Sequence, residues 1–345
     1  MERIIERANE YNSINNRLVW IDWMKTIAMY FIIVGHMFLP GNEYIYVFSV
    51  PCFFIISGFL SKREEDVNVF WKKTWWNLVV PMFLLFFIKH TEYFAKLLHA
   101  GTFQLSYFWE APLLAMGGMQ GEQFAAGGLV SLWFVYTLIV CKIILQYLPS
   151  KMFSCSLLFL NLTFLILAYV LKQRSILYYS SIVDVLLAMP FFSMGYILRS
   201  RKQILSEVSS SLIVCIILLG GVCVWLCGKY NEVVMLYRCD YGSNLLLCLI
   251  GGFMGSALIY GISYSLRLYL VDIANVIGGG TLIILALHPI VLHVCDSIMN
   301  YLGILDSISL FWRYIEAFFI LISFIPLIVG IKRYIPLIYG KYRRN

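Results

Sequence analysis

The sequence has little charge. Only 13% of its 345 residues are Asp, Glu, Lys or Arg, while 61% are hydrophobic and the mean hydropathy is +0.81. Soluble domains carry about 25% charged residues, and no polar block here is long enough for a separate soluble domain. The low content of charged residues excludes an ordinary soluble fold. Apolar spans of helical length recur along the chain, and they predict an all-α polytopic membrane protein with one membrane domain.

Several chemical motifs are also missing. The chain has no Cys-x-x-Cys, no metal-ligand box, no Gly-rich nucleotide loop and no Gly-x-Ser-x-Gly elbow. Most of its nine cysteines lie inside apolar runs, which is typical of small buried hydrophobic residues. We therefore expect no metal site and no permanently bound cofactor. The net charge of +7 reflects membrane topology, so no nucleic-acid partner is expected.

The apolar runs predict about ten transmembrane helices. They lie at about 19–39, 44–61, 78–92, 129–148, 152–171, 178–198, 209–228, 243–264, 273–296 and 310–331. Segment 61–77 alternates charge with Phe and Trp, which is typical of an interfacial amphipathic segment. The predicted organisation is a cytoplasmic N-terminus at 1–18, the membrane domain at 19–335 and a basic cytoplasmic tail at 336–345.

The first predicted span contains three polar groups, Asp22, Lys25 and His36. Lys25 and His36 are eleven residues apart, which is three helical turns plus about 20°, so they share a face and lie roughly 16 Å apart. Asp22, three residues before Lys25, falls on the same face and can pair with it. Ionised groups at membrane depth cost roughly 2.5–3.5 kcal/mol on insertion scales, so this face predicts a functional site.

Two motifs resemble the acyltransferase 3 family. The first, IDWMKTIAMYFIIVGH at 21–36, is similar to that family's opening signature of Asp, then Arg or Lys, ten residues and His. The second, PCFFIISGF at 51–59, resembles its Phe-Phe-x-x-Ser-Gly-Phe motif. Weaker similarities follow in the family's order in FWKKTWWNLVVP, SLWFVYTL, FFSMGYIL and GGGTLIILALHP, so the resemblance extends over about 17–335.

The resemblance implies an integral enzyme of the bacterial cytoplasmic membrane. It would transfer an acyl group, usually acetyl from cytosolic acetyl-CoA as co-substrate, to a hydroxyl of an extracytoplasmic glycan or lipid-linked sugar. His36 would be the catalytic base, because neutral imidazole can accept a hydroxyl proton. The acyl-CoA would be bound by Lys25, Arg63, Lys72 and Lys73. Supporting or cavity-lining roles would fall to Asp22, Ser57, Trp133 and His288.

Two positions depart from the family pattern. Lys25 stands where many members have Arg, and a Lys ammonium is a point charge without the bidentate geometry of a guanidinium. Lys at this position points to the branch that acts on exopolysaccharide and simple sugars. Ser49-Val50-Pro51 stands where that branch often has His-Met-Pro, which leaves one fewer polar group beside His36.

Other interpretations of these residues remain open at this stage. Lys25 can be a structural partner of Asp22, His36 can be a helix-terminal imidazole bonded to backbone, and Ser57-Gly58 can serve close helix packing. For the whole chain the alternative function is a transporter or flippase of glycans, since buried charges also suit a pathway. The helix face shared by Lys25 and His36, beside a basic cytosolic surface, favours the transferase, because a glycan flippase needs neither contacts to CoA phosphates nor a single essential imidazole.

The distribution of Lys and Arg predicts the topology. Seventeen of the 26 lie in segments that share a side with the N-terminus, and seven lie on the other side. By the positive-inside rule, both termini are cytoplasmic. A reporter fused after Asn345 is therefore expected to be cytoplasmic, and one inserted within 100–125 extracytoplasmic. A C-terminal reporter active only outside the cytoplasm would contradict the even number of spans.

Overall fold

The computed structural model describes residues 18–119, 126, 132–149, 153–174, 180–305 and 308–338. Regular structure in these residues is helical, with two isolated β-bridges and no strand. The predicted N-terminal segment, apart from residue 18, and most of the basic tail lie outside the described residues.

Fifteen α-helices are named here in chain order. They are α1 Val19–Gly35, α2 Asn42–Tyr46, α3 Ser49–Leu60, α4 Val67–Thr74, α5 Val80–His99, α6 Tyr107–Met116, α7 Trp133–Tyr147, α8 Phe153–Gln173, α9 Ser181–Leu198, α10 Lys202–Ser206, α11 Ser210–Tyr230, α12 Leu245–Leu266, α13 Val271–Gly279, α14 Thr281–Tyr301 and α15 Leu310–Tyr334.

The described part of the chain contains eight helical stretches long and apolar enough to cross a membrane. They are Asn42–Leu60, Val67–His99, Phe153–Gln173, Ser181–Ser206, Ser210–Tyr230, Leu245–Leu266, Thr281–Tyr301 and Leu310–Tyr334. The helices α1 and α7 are shorter, with 17 and 15 residues. Each of the ten predicted spans falls on a helix, which confirms an all-α polytopic membrane protein. The number of spans and the N-in/C-in orientation stay predictions.

The amphipathic segment at 61–77 leads into the third span, whereas the span predicted at 273–296 is interrupted. Asp66 caps α4 by accepting a hydrogen bond from the Asn68 backbone N–H (2.8 Å), and a π-helical turn at Trp75–Val79 then leads directly into α5. The widened turn precedes Pro81, which has no N–H to donate. The span predicted at 273–296 is divided at Gly280, where α13 ends and α14 begins.

The helices α3 and α9 cross with their backbones in direct contact. A Cβ atom on Gly58 would lie 1.9 Å from the Phe192 carbonyl oxygen, and one on Gly195 would lie 1.9 Å from the Ile55 carbonyl oxygen. Because only glycine lacks a Cβ atom, this reciprocal contact requires glycine on both helices. Gly58 of the second motif therefore serves close helix packing.

Glycines on α12 accept side chains from the neighbouring helices. A Cβ atom on Gly255 would lie 2.3 Å from the Phe48 Cβ, and one on Gly252 would lie 2.4 Å from a ring carbon of Phe191. Phe191 is fully buried and belongs to α9. The α12 surface thus holds the start of α3 and the middle of α9 together, which fixes the position of α3 beside α1.

We expect Gly195→Ala to destabilise the protein strongly. The new methyl group would collide with the backbone of α3, and no side-chain rotation relieves that contact, so the cost should reach or exceed the roughly 1–3 kcal/mol typical of overpacking. The measurement is thermal unfolding of the purified protein in detergent.

Gly221→Ala on α11 is the matched control, because no atom lies within 4 Å of a Cβ built there. Its effect should stay within about 1 kcal/mol and favour stability, since alanine is the better helix former. Equal melting temperatures for the two variants would contradict the tight crossing.

Candidate functional site

A cavity of about 870 Å³ lies among α1, α3, α5, α7 and α14. We call its two ends the Lys25 end and the His36 end, after residues of α1 that line it. Along α1 and at the residue that caps its C-terminus, the lining residues are Lys25, Met29, Ile32 and His36, at spacings of four, three and four. This is the period of one helix face, so the structure brings Lys25 and His36 onto one wall of one cavity, as the sequence predicted.

Asp22 does not share that wall. Its side chain is 3% exposed and is not among the lining residues. The helix α13 packs directly against it, and a Cβ atom on Gly278 would lie 3.0 Å from the Asp22 Cβ. Asp22 therefore lies against α13 and does not line the cavity.

His36 follows the last residue of α1, and its side chain is exposed to the cavity. Its Nδ1 lies 2.8 Å from the Ile32 carbonyl oxygen. Because a carbonyl oxygen can only accept, Nδ1 carries the proton that is donated there. In the neutral ring Nε2 therefore keeps its lone pair, which is the arrangement a base requires.

His288 of α14 lies directly against His36. The two ring centroids are 4.6 Å apart and the rings meet edge to face at 83°. His288 is fully buried, its Nδ1 donates to the Ile284 carbonyl (2.8 Å), and its Nε2 has no hydrogen-bond partner among the described residues. His288, the histidine of the motif GGGTLIILALHP, thus packs against the ring of His36.

The Lys25 end is strongly cationic. It is lined by Lys25, Lys62, Lys73 and Lys142. Among the described residues that line the cavity, Glu64 is the one carboxylate, and it pairs with Lys73 at 2.8 Å. The remaining excess of positive charge makes this end of the cavity attractive to an anion.

Of the three predicted helpers of Lys25, only Lys73 lines the cavity. The Arg63 guanidinium donates to the carbonyls of Gln146 (3.3 Å) and Leu148 (2.7 Å) and lies over the Phe153 ring, 5.0 Å from its centroid. Arg63 therefore anchors the end of α7 to the start of α8. Lys72 is exposed and is not a lining residue.

Ser57 and Trp133 both line the cavity, as expected. Ser57 precedes Gly58 on α3, and consecutive helix residues point about 100° apart, so Gly58 packs on α9 while Ser57 faces the cavity. Trp133, at the start of α7, lies 6.1 Å from Tyr237 between ring centroids.

The lining residues that sequence reasoning missed include Lys89, Lys142, Tyr237 and Arg238. Lys89 is 7% exposed within the apolar run VPMFLLFFIKH, and Lys142 interrupts a similar run on α7. A cation inside an apolar span was the signal that identified Lys25, so the same rule could have found both. Tyr237 and Arg238 belong to a loop and carry no such signal.

Comparison with known proteins yields a family match. The model of the acyltransferase 3 family, described as an acyltransferase domain, matches residues 18–331. This range begins just before α1 and ends within α15, so it contains every cavity-lining residue. No curated protein and no solved structure matches the chain.

Proposed function

Because the chain belongs to the acyltransferase 3 family and is a membrane acyltransferase, we propose that it transfers an acyl group, acetyl in the simplest case, from cytosolic acyl-CoA to a hydroxyl of an extracytoplasmic or lipid-linked glycan. The membrane would be the bacterial cytoplasmic membrane. The observation that carries this proposal is one cavity with a cationic Lys25 end and an imidazole at its other end.

The Lys25 end is the proposed binding site for the phosphates of CoA. CoA is too polar to cross a bilayer, whereas the acceptor lies on the other side, so the thioester and the hydroxyl must meet inside the protein. Lys25 and His36 lie roughly 16 Å apart along α1. The charged end of the donor is held at Lys25, with Lys62, Lys73 and Lys142 nearby, and the acyl end extends toward His36.

His36 is the proposed general base. The acceptor oxygen attacks the thioester carbonyl carbon while Nε2 of His36 removes the hydroxyl proton. The carbon–sulfur bond then breaks, the new ester remains on the glycan, and the proton passes from His36 to the CoA thiolate. General-base catalysis of this kind contributes typically 10²–10⁴-fold. No covalent acyl-enzyme is needed, although Ser57 also lines the cavity.

His288 is the proposed positioning residue for His36. Its buried ring restricts the His36 ring from one side, while the hydrogen bond to Ile32 fixes it from the other. A glycan transporter or flippase, the alternative function, has no need for an imidazole held in one tautomer.

We expect Lys25→Ala to raise the KM for acetyl-CoA about tenfold or more, because a charge-assisted contact to phosphate is lost. Lys25→Arg should retain much of the activity. The measurement is the initial rate of label transfer from radiolabelled acetyl-CoA to glycan. Arg201→Ala is the control, since Arg201 is an exposed cation that does not line the cavity. An unchanged KM in Lys25→Ala would make Lys25 a structural residue.

His36→Ala should remove nearly all transfer while the protein still folds and binds acetyl-CoA. Wild-type activity should fall as the pH is lowered, because a protonated imidazole cannot accept a proton, and this acidic limb should be absent from the residual rate of the variant. His288→Leu should lower kcat by less than His36→Ala does and leave the KM for acetyl-CoA unchanged.

His99→Ala is the matched control for both histidine variants, because His99 is exposed at the end of α5 and does not line the cavity. Near-wild-type transfer by His36→Ala would end the assignment of His36 and make His288 the candidate base.

A further inference from the structure

The His36 end of the cavity has a second group of cations. Lys89 of α5 and Arg238 of the loop between α11 and α12 both line it. Lys89 lies sixteen residues after Lys73, which lines the Lys25 end, in the same helical stretch Val67–His99, so it is about 24 Å farther along that helix. Lys89 and His36 line the same cavity.

The loop that carries Arg238 lies at this same end. It follows α11, and a Cβ atom on Gly228 near the end of α11 would lie 2.3 Å from the Tyr44 ring. Tyr44 belongs to α2, the helix that comes directly after His36. In α2, Tyr46 lines the cavity and donates its hydroxyl to the Gly35 carbonyl at 2.7 Å.

Arg238 is held in a strained backbone conformation. Its φ is +75° and that of Cys239 is +54°, a region that side-chain-bearing residues rarely adopt. The turn is closed by two backbone hydrogen bonds between Met235 and Asp240, at 2.9 and 3.0 Å. Strain of this kind persists only where the surrounding structure imposes it, and it concentrates at functional sites.

Two polar residues fix the base of the loop. Asn231 donates to the Tyr241 carbonyl (3.0 Å) and accepts from Ser243 Oγ (3.0 Å) and the Asn244 N–H (2.8 Å). Asp240, the acid nearest to Arg238 in the chain, forms an ion pair with Lys172 of α8. The loop therefore presents Arg238 to the cavity while its neighbouring carboxylate is bound to another cation.

Charge and aromatic rings meet at this end. No carboxylate of the described residues lines the His36 end, because Glu64 belongs to the Lys25 end. The Arg238 guanidinium lies 5.0 Å from the centroid of the Tyr237 ring, and Tyr237 is next to Trp133. Aromatic rings beside an exposed guanidinium suit a ring-shaped molecule that carries an anionic group.

We propose that Arg238 and Lys89 form a subsite for an anionic group of the acceptor, with Trp133 and Tyr237 against its sugar ring. This inference rests on the proposed function and adds a class of acceptor, a negatively charged sugar. The anion is either the carboxylate of a uronic acid or the phosphate that links a sugar to its carrier. Both are planar or forked acceptors of the hydrogen bonds that a guanidinium donates.

The test compares three acceptors at saturating acetyl-CoA with the full-length protein in nanodiscs. They are an oligosaccharide ending in a hexuronic acid, the same oligosaccharide ending in the neutral hexose, and the neutral sugar joined to a lipid by phosphate. Wild type should show a KM for at least one anionic acceptor about tenfold below that for the neutral one. The anionic acceptor with the lower KM identifies whether the subsite binds the carboxylate of a uronic acid or the phosphate of a lipid-linked sugar.

Arg238→Gln should raise the KM for the preferred anionic acceptor about tenfold. The KM for the neutral acceptor and the KM for acetyl-CoA should stay unchanged. Arg238→Lys should keep most of the preference, because the charge remains. Arg174→Gln is the control, since Arg174 is exposed at the end of α8 and does not line the cavity.

Two results would overturn the subsite. One is a wild-type protein without preference between anionic and neutral acceptors. The other is an Arg238→Gln variant that changes only the KM for acetyl-CoA, which would assign these cations to the donor. Binding of the same three acceptors without acetyl-CoA, measured by thermophoresis, separates the two proposals. Absence of all transfer would refute the proposed function. Binding of the anionic acceptor that depends on Arg238 would still support the subsite in that case. Absence of such binding would overturn the subsite.

Discussion

The direct backbone contact of α3 with α9, made by Gly58 and Gly195, determines which way α3 faces. With Gly58 pressed onto α9, the preceding residue, Ser57, faces the cavity, and so do Phe53, Ile56 and Leu60 of the same helix. In a bilayer no hydrophobic force drives helices together, because lipid is as apolar as the side chains, so close packing through small residues takes its place. The shape of the cavity thus follows from where glycine permits contact.

The cavity concentrates positive charge along its length. Four lysines line the Lys25 end, and Lys89 and Arg238 line the His36 end, against the one lining carboxylate of Glu64 in the described residues. Cations at membrane depth are costly in free energy unless they contact anions, water or polar partners. A cavity with excess positive charge therefore favours the binding of anionic molecules. Cations at both ends fit a reaction in which donor and acceptor enter from opposite sides and meet between them.

The two imidazoles illustrate how local and tertiary effects combine. Each donates from Nδ1 to the carbonyl four residues earlier on its own helix, Ile32 for His36 and Ile284 for His288. That hydrogen bond needs only a helix, and it leaves Nε2 available in both rings. What makes one ring a cavity residue and the other its support is the packing of α14 beside α1, which exposes His36 and buries His288.

The sequence by itself determined the membrane class, a helix for each predicted span, and the shared face of Lys25 and His36, because hydropathy and the 3.6-residue period are local properties. Only the tertiary structure decided that Arg63 binds the backbone of α7 while Lys73 lines the cavity, and that Asp22 packs against α13. It alone brought Arg238, from a loop about 200 residues away in the chain, to the end where His36 lies. Which side chains share a cavity depends on which helices pack together, and that is set by contacts between residues far apart in sequence, which no local pattern encodes.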